Sequence, residues 1–270
     1  MNKYTINELI GEGSFGEVYL AKNNDTNEIV AIKQFQLRNR NGGRHEIAIL
    51  KQIPVNIHLP RFIDSFDKNG NIFIVSNFIK GEELTYYQAS LSTLERRDSS
   101  MIPTVNALAT QMLDALKALH SSGIVHRDVK QENIIFDPAT ITFVLIDVGG
   151  SCDSKGCFEP AGTTELMSPD LVDAYERFNN GQGLFVDTEV YKKGDVYALG
   201  VVLYEFVEDH PPYKNLSRRE QTRYRVYDFD EPIEVTYNDP KLNGIITNML
   251  SCKYDADDMI YQFTKCFLTT

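Results

Sequence analysis

The sequence has 270 residues, of which 42% are hydrophobic and 24% are charged, as is typical of a globular chain with one large domain or two lobes. Its net charge of −11 at pH 7 argues against a broad basic face for nucleic acid, and no run of residues approaches the length of a membrane span. Residues 1–80 carry 10 basic and 8 acidic side chains and the remainder carries 17 and 30, so we expect a macromolecular partner of the second part to be basic.

Four cysteines are too few for a disulfide scaffold of this length. We expect free thiols, including the nearby Cys152 and Cys157, with a redox switch at this pair as the alternative. The N-terminus lacks a signal-peptide pattern. These observations predict an intracellular protein of the cytoplasm, the nucleus or both.

The first third of the chain predicts a sheet with one helix. The runs EVYLA (17–21), EIVAIKQF (28–35) and NIFIVSNFI (71–79) have the branched and aromatic residues of strands. The run GGRHEIAILKQI (42–53) alternates apolar and polar residues at helical spacing.

After a connection at residues 77–81, the pattern becomes mostly helical. Apolar residues recur at helical spacing in one long segment: Val105, Leu108, Ala109, Met112, Leu116 and Leu119. The segment 195–207 is apolar nearly all round and predicts a buried helix. Further helices are expected at SRREQTRYR (217–225) and NGIITNMLSC (243–252).

The stretch GEGSFGEV places Gly11, Gly13 and Gly16 where a backbone can turn tightly and approach an anion. Dinucleotide-binding folds also use a GxGxxG pattern, but there the last glycine opens a helix. Here the strand-like EVYLA follows, which favours a hairpin lid over phosphates, with a plain β-hairpin as the alternative.

Lys33 of VAIK lies inside an apolar strand, where an uncompensated ammonium group is costly. Its side chain either points to water or meets an acid or a phosphate. Glu46 on the following helix is the natural acidic partner.

Two polar motifs supply the residue types that metal-assisted chemistry needs. Asp147 in LIDVGG follows an apolar strand, which suits either a Mg²⁺ ligand or the start of a turn. In HRDVKQEN, Asp128 could accept a hydroxyl proton, Lys130 could neutralise a phosphoryl group and Asn133 could offer a second metal ligand. We interpret His126 as a core histidine.

Together GEGSFGEV, VAIK, HRDVKQEN and DVG, with a later GTTELMSPD, resemble the signature set of eukaryotic protein kinases. The resemblance covers residues 4–268, and Lys130, two residues after Asp128, resembles the serine/threonine branch. It implies an α+β fold with a small β-rich lobe (1–80), a larger helical lobe (81–270) and ATP between them.

The resemblance implies a nucleotide site in which a glycine-rich backbone covers the phosphates and a hinge contacts the adenine. The implied residues are Ile10, Gly11, Gly13, Ser14, Phe15, Gly16, Val18, Ala31, Lys33, Glu46, Asn77, Phe78, Ile79 and Ile135. Ser76 matches the residue that gates the back of the pocket, and its small size predicts that bulky inhibitors fit.

The resemblance also implies roles in phosphoryl transfer. Asp128 would be the catalytic base and Lys130 a charge clamp. Asn133 and Asp147 would hold Mg²⁺, or Mn²⁺ in its place. Thr163 would contact the catalytic loop.

Other matching positions concern positioning and substrate choice. Asp195 matches an aspartate that holds the catalytic loop from the buried helix. Glu83 and Glu132 match positions that receive arginine in basophilic kinases, so a basic protein substrate is expected, with two solvated acids as the alternative. No nucleic-acid or membrane partner is expected, and the oligomeric state stays open.

The sequence departs from the family pattern at three places. Val148 stands where phenylalanine is usual, which predicts weaker locking of the active state. SPD replaces the usual APE, and Asp257 occupies the expected position of the arginine that would pair with Asp170. The last helix is short.

Residues 147–170 would form the activation loop, with Arg127 as the receiver for a phosphate there. The candidate phosphorylation sites are Ser151, Ser154 and Thr164.

The leading hypothesis is an active serine/threonine protein kinase. The complete set of Lys33, Asp128, Asn133 and Asp147 argues against a pseudokinase scaffold, which Val148 and the missing arginine faintly favour. A small-molecule kinase of similar fold is disfavoured by Lys130 and the GTTELMSPD segment.

Overall fold

The computed structural model describes residues 3–13, 16–153, 157, 161–182, 186–213 and 233–267. Within this part of the chain the strands are β1 Tyr4–Gly13, β2 Gly16–Asn23, β3 Ile29–Phe35, β4 Phe62–Lys68, β5 Asn71–Asn77, β6 Glu82–Glu83, β7 Ile124–Val125, β8 Ile134–Asp137, β9 Thr142–Leu145 and β10 Cys152–Asp153. The helices are α1 Arg40–Leu50, α2 Leu84–Ser90, α3 Thr93–Arg97, α4 Ile102–Ser121, α5 Pro169–Asn179, α6 Thr188–Glu208, α7 Pro240–Met249 and α8 Ala256–Phe267.

The small lobe is a five-stranded antiparallel sheet with strand order β1-β2-β3-β5-β4. One face is buried through alternate residues of the central strands: Ala21, Val30, Ile32, Phe73 and Val75. Side chains alternate between faces along a strand, so the residues between these lie on the opposite face. That face carries Val18, which pairs with Lys33, and Ala31, which pairs with Ser76.

The large lobe packs around α4 and α6. Helix α6 is apolar on nearly every side and almost wholly buried, as its composition predicts. It begins seven residues before the predicted start because Asp187 caps it by accepting a hydrogen bond from the backbone N–H of Glu189. Asp239 caps α7 in the same way, and Pro240 occupies the first turn of that helix.

Two small sheets place the polar loops between the lobes. Strands β6, β8 and β9 form one sheet, and β7 pairs with β10 in the other. The HRDVKQEN loop connects β7 to β8, and the LIDVGG loop connects β9 to β10. Paired strands therefore fix both ends of each loop.

The α+β class and the predicted strands are confirmed, with two differences. Strand β4 was not predicted, because four of the seven residues of its sequence FIDSFDK are polar and they do not alternate regularly with the apolar ones. The helix predicted over 42–53 is α1, which ends at Leu50 because Pro54 disfavours helical backbone before it. The helix predicted at 217–225 lies outside the described residues. No helix in the described ranges is long and apolar enough to cross a membrane.

Candidate active site

Lys33 lies between two carboxylates. Its Nζ atom is 2.8 Å from Oε2 of Glu46 on α1 and 3.0 Å from Oδ1 of Asp147. Burial alone would lower the pKa of Lys33, but the two carboxylates outweigh it and raise that pKa. Lys33 is therefore a fixed ammonium group inside the cleft, not a solvated strand lysine.

Asp147 holds a strained backbone conformation at the start of its turn. Its φ angle is 57°, in the left-handed region that non-glycine residues rarely adopt. The side chain compensates by accepting a hydrogen bond of 3.1 Å from the backbone N–H of Gly149. Burial works to raise the pKa of Asp147, but the Lys33 ammonium group and the Gly149 N–H outweigh burial. The pKa is therefore lowered overall, and the carboxylate stays ionised.

Asp128 is held by three side chains of different chemistry. Thr163 Oγ1 donates a hydrogen bond of 2.7 Å to Oδ1, and Oδ2 receives Asn133 Nδ2 at 3.0 Å and Lys130 Nζ at 2.8 Å. Burial works to raise the pKa of Asp128, but the bonds from Lys130 and Thr163 lower it. The group is a carboxylate of fixed orientation at neutral pH.

Asp195 fixes the catalytic loop from α6. Its two oxygens accept the backbone N–H groups of His126 at 2.8 Å and of Arg127 at 2.7 Å, and it also contacts His120. These bonds hold Arg127 at a φ angle of 67°, another left-handed position. His126 is fully buried, as predicted for a core histidine, and its Nε2 atom lies 3.1 Å from the carbonyl oxygen of Ile146.

Asn133 and Asp147 are brought together by the backbone. The N–H of Ile146 donates to the carbonyl oxygen of Asn133 at 2.8 Å, which places the two motifs side by side. Asn133 uses its amide nitrogen to bind Asp128, which leaves its amide oxygen to act as a ligand. One carboxylate and one amide oxygen fit Mg²⁺, which takes its remaining ligands from phosphate and water. No cluster of three or more His, Cys, Asp or Glu side chains suited to a metal occurs in the described ranges.

The predicted adenine-side residues form a half-buried apolar surface between the lobes. They are Val18, Ala31 and Ile135, whereas Ile10, in the same predicted set, is exposed. Gly11 pairs with Val18 and Gly13 pairs with Gly16 at the tip of the β1–β2 hairpin. A side chain at Gly16 would overlap the carbonyl oxygen of Gln34, so only glycine fits there. Ser14 and Phe15 lie outside the described residues.

The predicted hinge residues follow directly from β5. Asn77 Oδ1 accepts the backbone N–H of Arg61 at 2.6 Å, so its side chain is turned towards the start of β4. Phe78 is exposed and Ile79 half-buried, and both lie on the connection between the lobes. Gly81 then requires a φ angle of 135°, and a side chain there would overlap the backbone of Phe136.

A family model described as the protein kinase domain matches residues 4–266. The chain belongs to this family. The kinase domain is 30% identical over 258 residues to the serine/threonine-protein kinase TIO of Arabidopsis thaliana, covering 90% of this chain and 18% of the relative. It is 28% identical over 222 residues to the serine/threonine-protein kinase Nek5 of Mus musculus, covering 80% of this chain and 32% of the relative. The chain thus spans a third or less of these relatives.

A third acid, Glu205, lies near Glu132, one of the two acids (Glu83 and Glu132) predicted to select the substrate of the kinase domain. Burial and the nearby Glu132 raise the pKa of Glu83. Burial and the same Glu132 raise the pKa of Glu205, on α6, to about 7. Sequence reasoning missed Glu205, although an acid within the apolar part of α6 was the available signal.

The expectation of free thiols at Cys152 and Cys157 is wrong. The two residues form a disulfide, with their Cα atoms 5.4 Å apart. Strand β10 holds Cys152 beside β7, and Cys157 lies within the Cα–Cα range that a disulfide requires. Cys252 and Cys266 are free. The bond removes one argument for a location inside the cell, and that location stays a prediction.

Ser151 is not suited to phosphorylation, contrary to the prediction. It is fully buried, and its hydroxyl donates to the carbonyl oxygen of His126 at 3.3 Å. Thr164 is half-buried and donates to Glu165 Oε2 at 2.9 Å, and Ser154 lies outside the described residues. The predicted phosphate receiver, Arg127, already donates to the carbonyl oxygen of Gly150.

The departures from the family pattern have different structural consequences. Val148 is 1% exposed and joins the main core beside α1. Asp170 is exposed at the start of α5, and Asp257 instead forms an exposed ion pair of 2.7 Å with Lys117. Neither Asp170 nor Asp257 therefore forms a buried ion pair in place of the acid–arginine pair that is usual in the family.

Proposed function

We propose that this kinase domain transfers the γ-phosphoryl group of ATP to serine or threonine hydroxyls of proteins. One observation carries the proposal: two groups of side chains, Lys33–Glu46–Asp147 and Asp128–Lys130–Asn133–Thr163, each have their internal hydrogen bonds and ion pairs in place. The first group has the chemistry to bind phosphates and a metal ion. The second has the chemistry to bind an acceptor hydroxyl.

On the nucleotide side, Lys33 supplies a positive charge whose position is fixed by Glu46. Asp147 and Asn133 would hold Mg²⁺, which neutralises charge on the phosphates when it is bound. The hairpin around Gly16 brings backbone close to the phosphates. These residues bind and orient the nucleotide without changing their own protonation state.

On the acceptor side, Asp128 accepts the hydrogen bond of the incoming hydroxyl. It takes the hydroxyl proton as the hydroxyl oxygen bonds to the γ-phosphorus and the bond from that phosphorus to the oxygen of the leaving ADP breaks. Thr163 and Asn133 fix the carboxylate, and Lys130 offers positive charge beside the transferred group. Catalysis in this arrangement comes mainly from positioning and charge neutralisation.

We further propose a preference for basic residues near the acceptor. Glu132 is close enough to raise the pKa of both Glu83 and Glu205, so three acids contribute negative charge to one region of the large lobe. The excess of acids after residue 80 acts in the same direction over a longer range. A peptide array in which acidic flanks give the better substrates would refute this preference.

The test of transfer is a γ-labelled ATP assay on a basic protein, with wild type beside Asp128→Ala. The variant should lose label transfer by at least roughly 100-fold, because general-base groups contribute this much. Asp257→Ala removes an exposed aspartate far from the loop and serves as the matched control. Equal label transfer by the wild type and by Asp128→Ala would show that Asp128 is not the catalytic base. Nucleotide binding without any transfer by the wild type would instead identify a scaffold that retains the fold.

A further inference from the structure

The disulfide lies near the start of the activation loop (residues 147–170) and next to the catalytic loop. The backbone of Cys152 pairs with Val125, the residue directly before His126. Cys152 is 1% exposed and Cys157 is 4% exposed. Both pack in one apolar cluster whose other members include Met167, Leu171 and Tyr191. The disulfide near the start of the activation loop thus packs against Met167 and Leu171, which lie near the end of that loop.

Three hydrogen bonds hold the two residues directly before the disulfide. The carbonyl oxygen of Gly150 accepts from Arg127 Nε at 2.7 Å. The carbonyl oxygen of Ser151 accepts from His45 Nε2 at 2.7 Å, and the Ser151 hydroxyl donates to the carbonyl oxygen of His126. The position of Cys152 is therefore coupled to the catalytic loop and to α1.

His45 is the link to the nucleotide side of the site. It is the neighbour of Glu46 on α1, and Glu46 forms the 2.8 Å ion pair with Lys33. A shift of the Ser151 carbonyl would break this hydrogen bond between α1 and the residues that precede the disulfide. The Lys33–Glu46 pair is complete in this disulfide-bonded structure, so we expect the disulfide form to be the active one.

We propose that Cys152 and Cys157 form a thiol–disulfide modification site that controls this kinase domain. The disulfide form is active and the dithiol form is less active, and His45 is the positioning residue that carries the effect to Glu46. The proposal rests on the proposed function, whose catalytic residues it regulates.

The exchange needs a dithiol reductant as its partner. A thiolate of the reductant attacks one sulfur, the S–S bond breaks and a mixed disulfide forms. The second thiol of the reductant then displaces the protein sulfur. Two electrons and two protons end on Cys152 and Cys157, and the reductant leaves as a disulfide. Because both sulfurs are buried, we expect slow reduction in the folded protein.

The experiment measures kcat for a basic peptide, the Kd for Mg·ATP and the thiol count by mass spectrometry, before and after treatment with dithiothreitol. Opening the bond should lower kcat and raise Kd by roughly 3- to 10-fold, the range of coupling expected through a packed network. Reoxidation should restore both values. Unchanged kcat and Kd in a sample whose mass confirms two new thiols would overturn the proposal, as would four free thiols in the oxidised protein.

Variants separate this pair from the other cysteines. Cys157→Ser should match the reduced wild type and ignore dithiothreitol. The double variant Cys252→Ser/Cys266→Ser removes the two free thiols and should keep the full response. His45→Ala, kept oxidised, should resemble the reduced wild type and show less than about a twofold further fall on reduction, since coupled changes are not additive. His45→Gln retains a donor and should recover part of the activity.

The readouts distinguish failure of this proposal from failure of the proposed function. If no peptide is phosphorylated in either redox form, the transfer activity fails, and the Mg·ATP affinity still reports the redox effect. If transfer is strong and equal in both forms, the kinase function stands and the redox control is wrong.

Discussion

At the scale of single residues, Asp128 shows how neighbours set the state of a reactive group. Its burial favours the protonated form, whereas Lys130 and the Thr163 hydroxyl favour the carboxylate and lower the pKa. The same contacts fix the direction in which the two oxygens point. Ionisation and orientation therefore have one structural origin.

Thr163 provides a test of orientation that leaves the carboxylate in place. Thr163→Val keeps the shape but removes the 2.7 Å hydrogen bond to Asp128. A hydrogen bond to a charged group contributes about 1.5–3 kcal/mol, so we expect kcat to fall roughly 10-fold or more. KM for ATP should change little. Thr110→Val, which removes a hydroxyl bonded within α4, is the control, and equal kcat values for both variants would contradict the role.

Glu205 predicts a pH dependence of substrate binding. Its pKa of about 7 lies above the ordinary value, so the group is mostly neutral at pH 6 and mostly charged at pH 8. Attraction for a basic residue is thus gained as pH rises. We expect KM for a peptide with an upstream arginine to fall by roughly 3- to 10-fold over this interval, as expected for one charge-assisted bond.

The control for this dependence is a peptide in which the arginine is replaced by alanine. Glu205→Gln mimics the neutral acid, so its KM for the basic peptide should be high and nearly constant with pH. The same pH profile for wild type and Glu205→Gln would exclude Glu205 as the responsible group.

At the scale of elements, α1 contains two adjacent glycines in different environments. A methyl group at Gly42 would lie 3.9 Å from the nearest atom of Phe35, whereas one at Gly43 would lie 3.0 Å from Phe35 Cγ. Phe35 is 1% exposed and packed in the core, so it has little room to move. Gly43 thus sets how closely α1 approaches β3.

This difference predicts opposite effects of the same substitution. Gly42→Ala should stabilise the domain by about 0.8 kcal/mol, because alanine favours a helix over glycine. Gly43→Ala should lose that gain by pushing α1 away, which lengthens the Glu46–Lys33 contact and lowers kcat. Urea unfolding and a kinetic assay on both variants test the prediction, and matching results for the pair would contradict it.

The elements near the site were predicted because each has a local signal. Lys33 in an apolar strand and Asp147 after another strand could be identified from the sequence and its resemblance alone. Glu205, His45 and the Cys152–Cys157 bond were missed or misjudged. The partners of Glu205 and His45 lie on other elements, so only the assembled fold brings them into contact. Cys152 and Cys157 are five residues apart, but the spacing alone does not say whether the two thiols are bonded.

At the scale of the whole molecule, Glu208 joins three parts of the large lobe at the end of α6. Its side chain is 4% exposed and contacts Arg97 of α3. It also accepts the backbone N–H and the hydroxyl of Thr236. A second ion pair of 2.6 Å, between Arg96 and Asp209, lies beside it.

Removing Glu208 should therefore weaken the fold as a whole. Glu208→Ala leaves the donors of Arg97 and Thr236 without their acceptor, and we expect a loss of about 3 kcal/mol in the free energy of unfolding. Asp257→Ala breaks an exposed ion pair and should cost less than about 1 kcal/mol. Comparable urea midpoints for the two variants would show that the Glu208 junction is not a stabilising one.

Ser76 has a practical consequence for finding the targets of this domain. It pairs with Ala31 across β3 and β5, and the family resemblance implies that this position borders the rear of the nucleotide cleft. An ATP analogue with an enlarged purine substituent and a thiophosphate at its end should be accepted here, while cellular kinases with a bulky residue at that point exclude it. Thiophosphorylated proteins recovered from a cell extract would then be direct products of this chain.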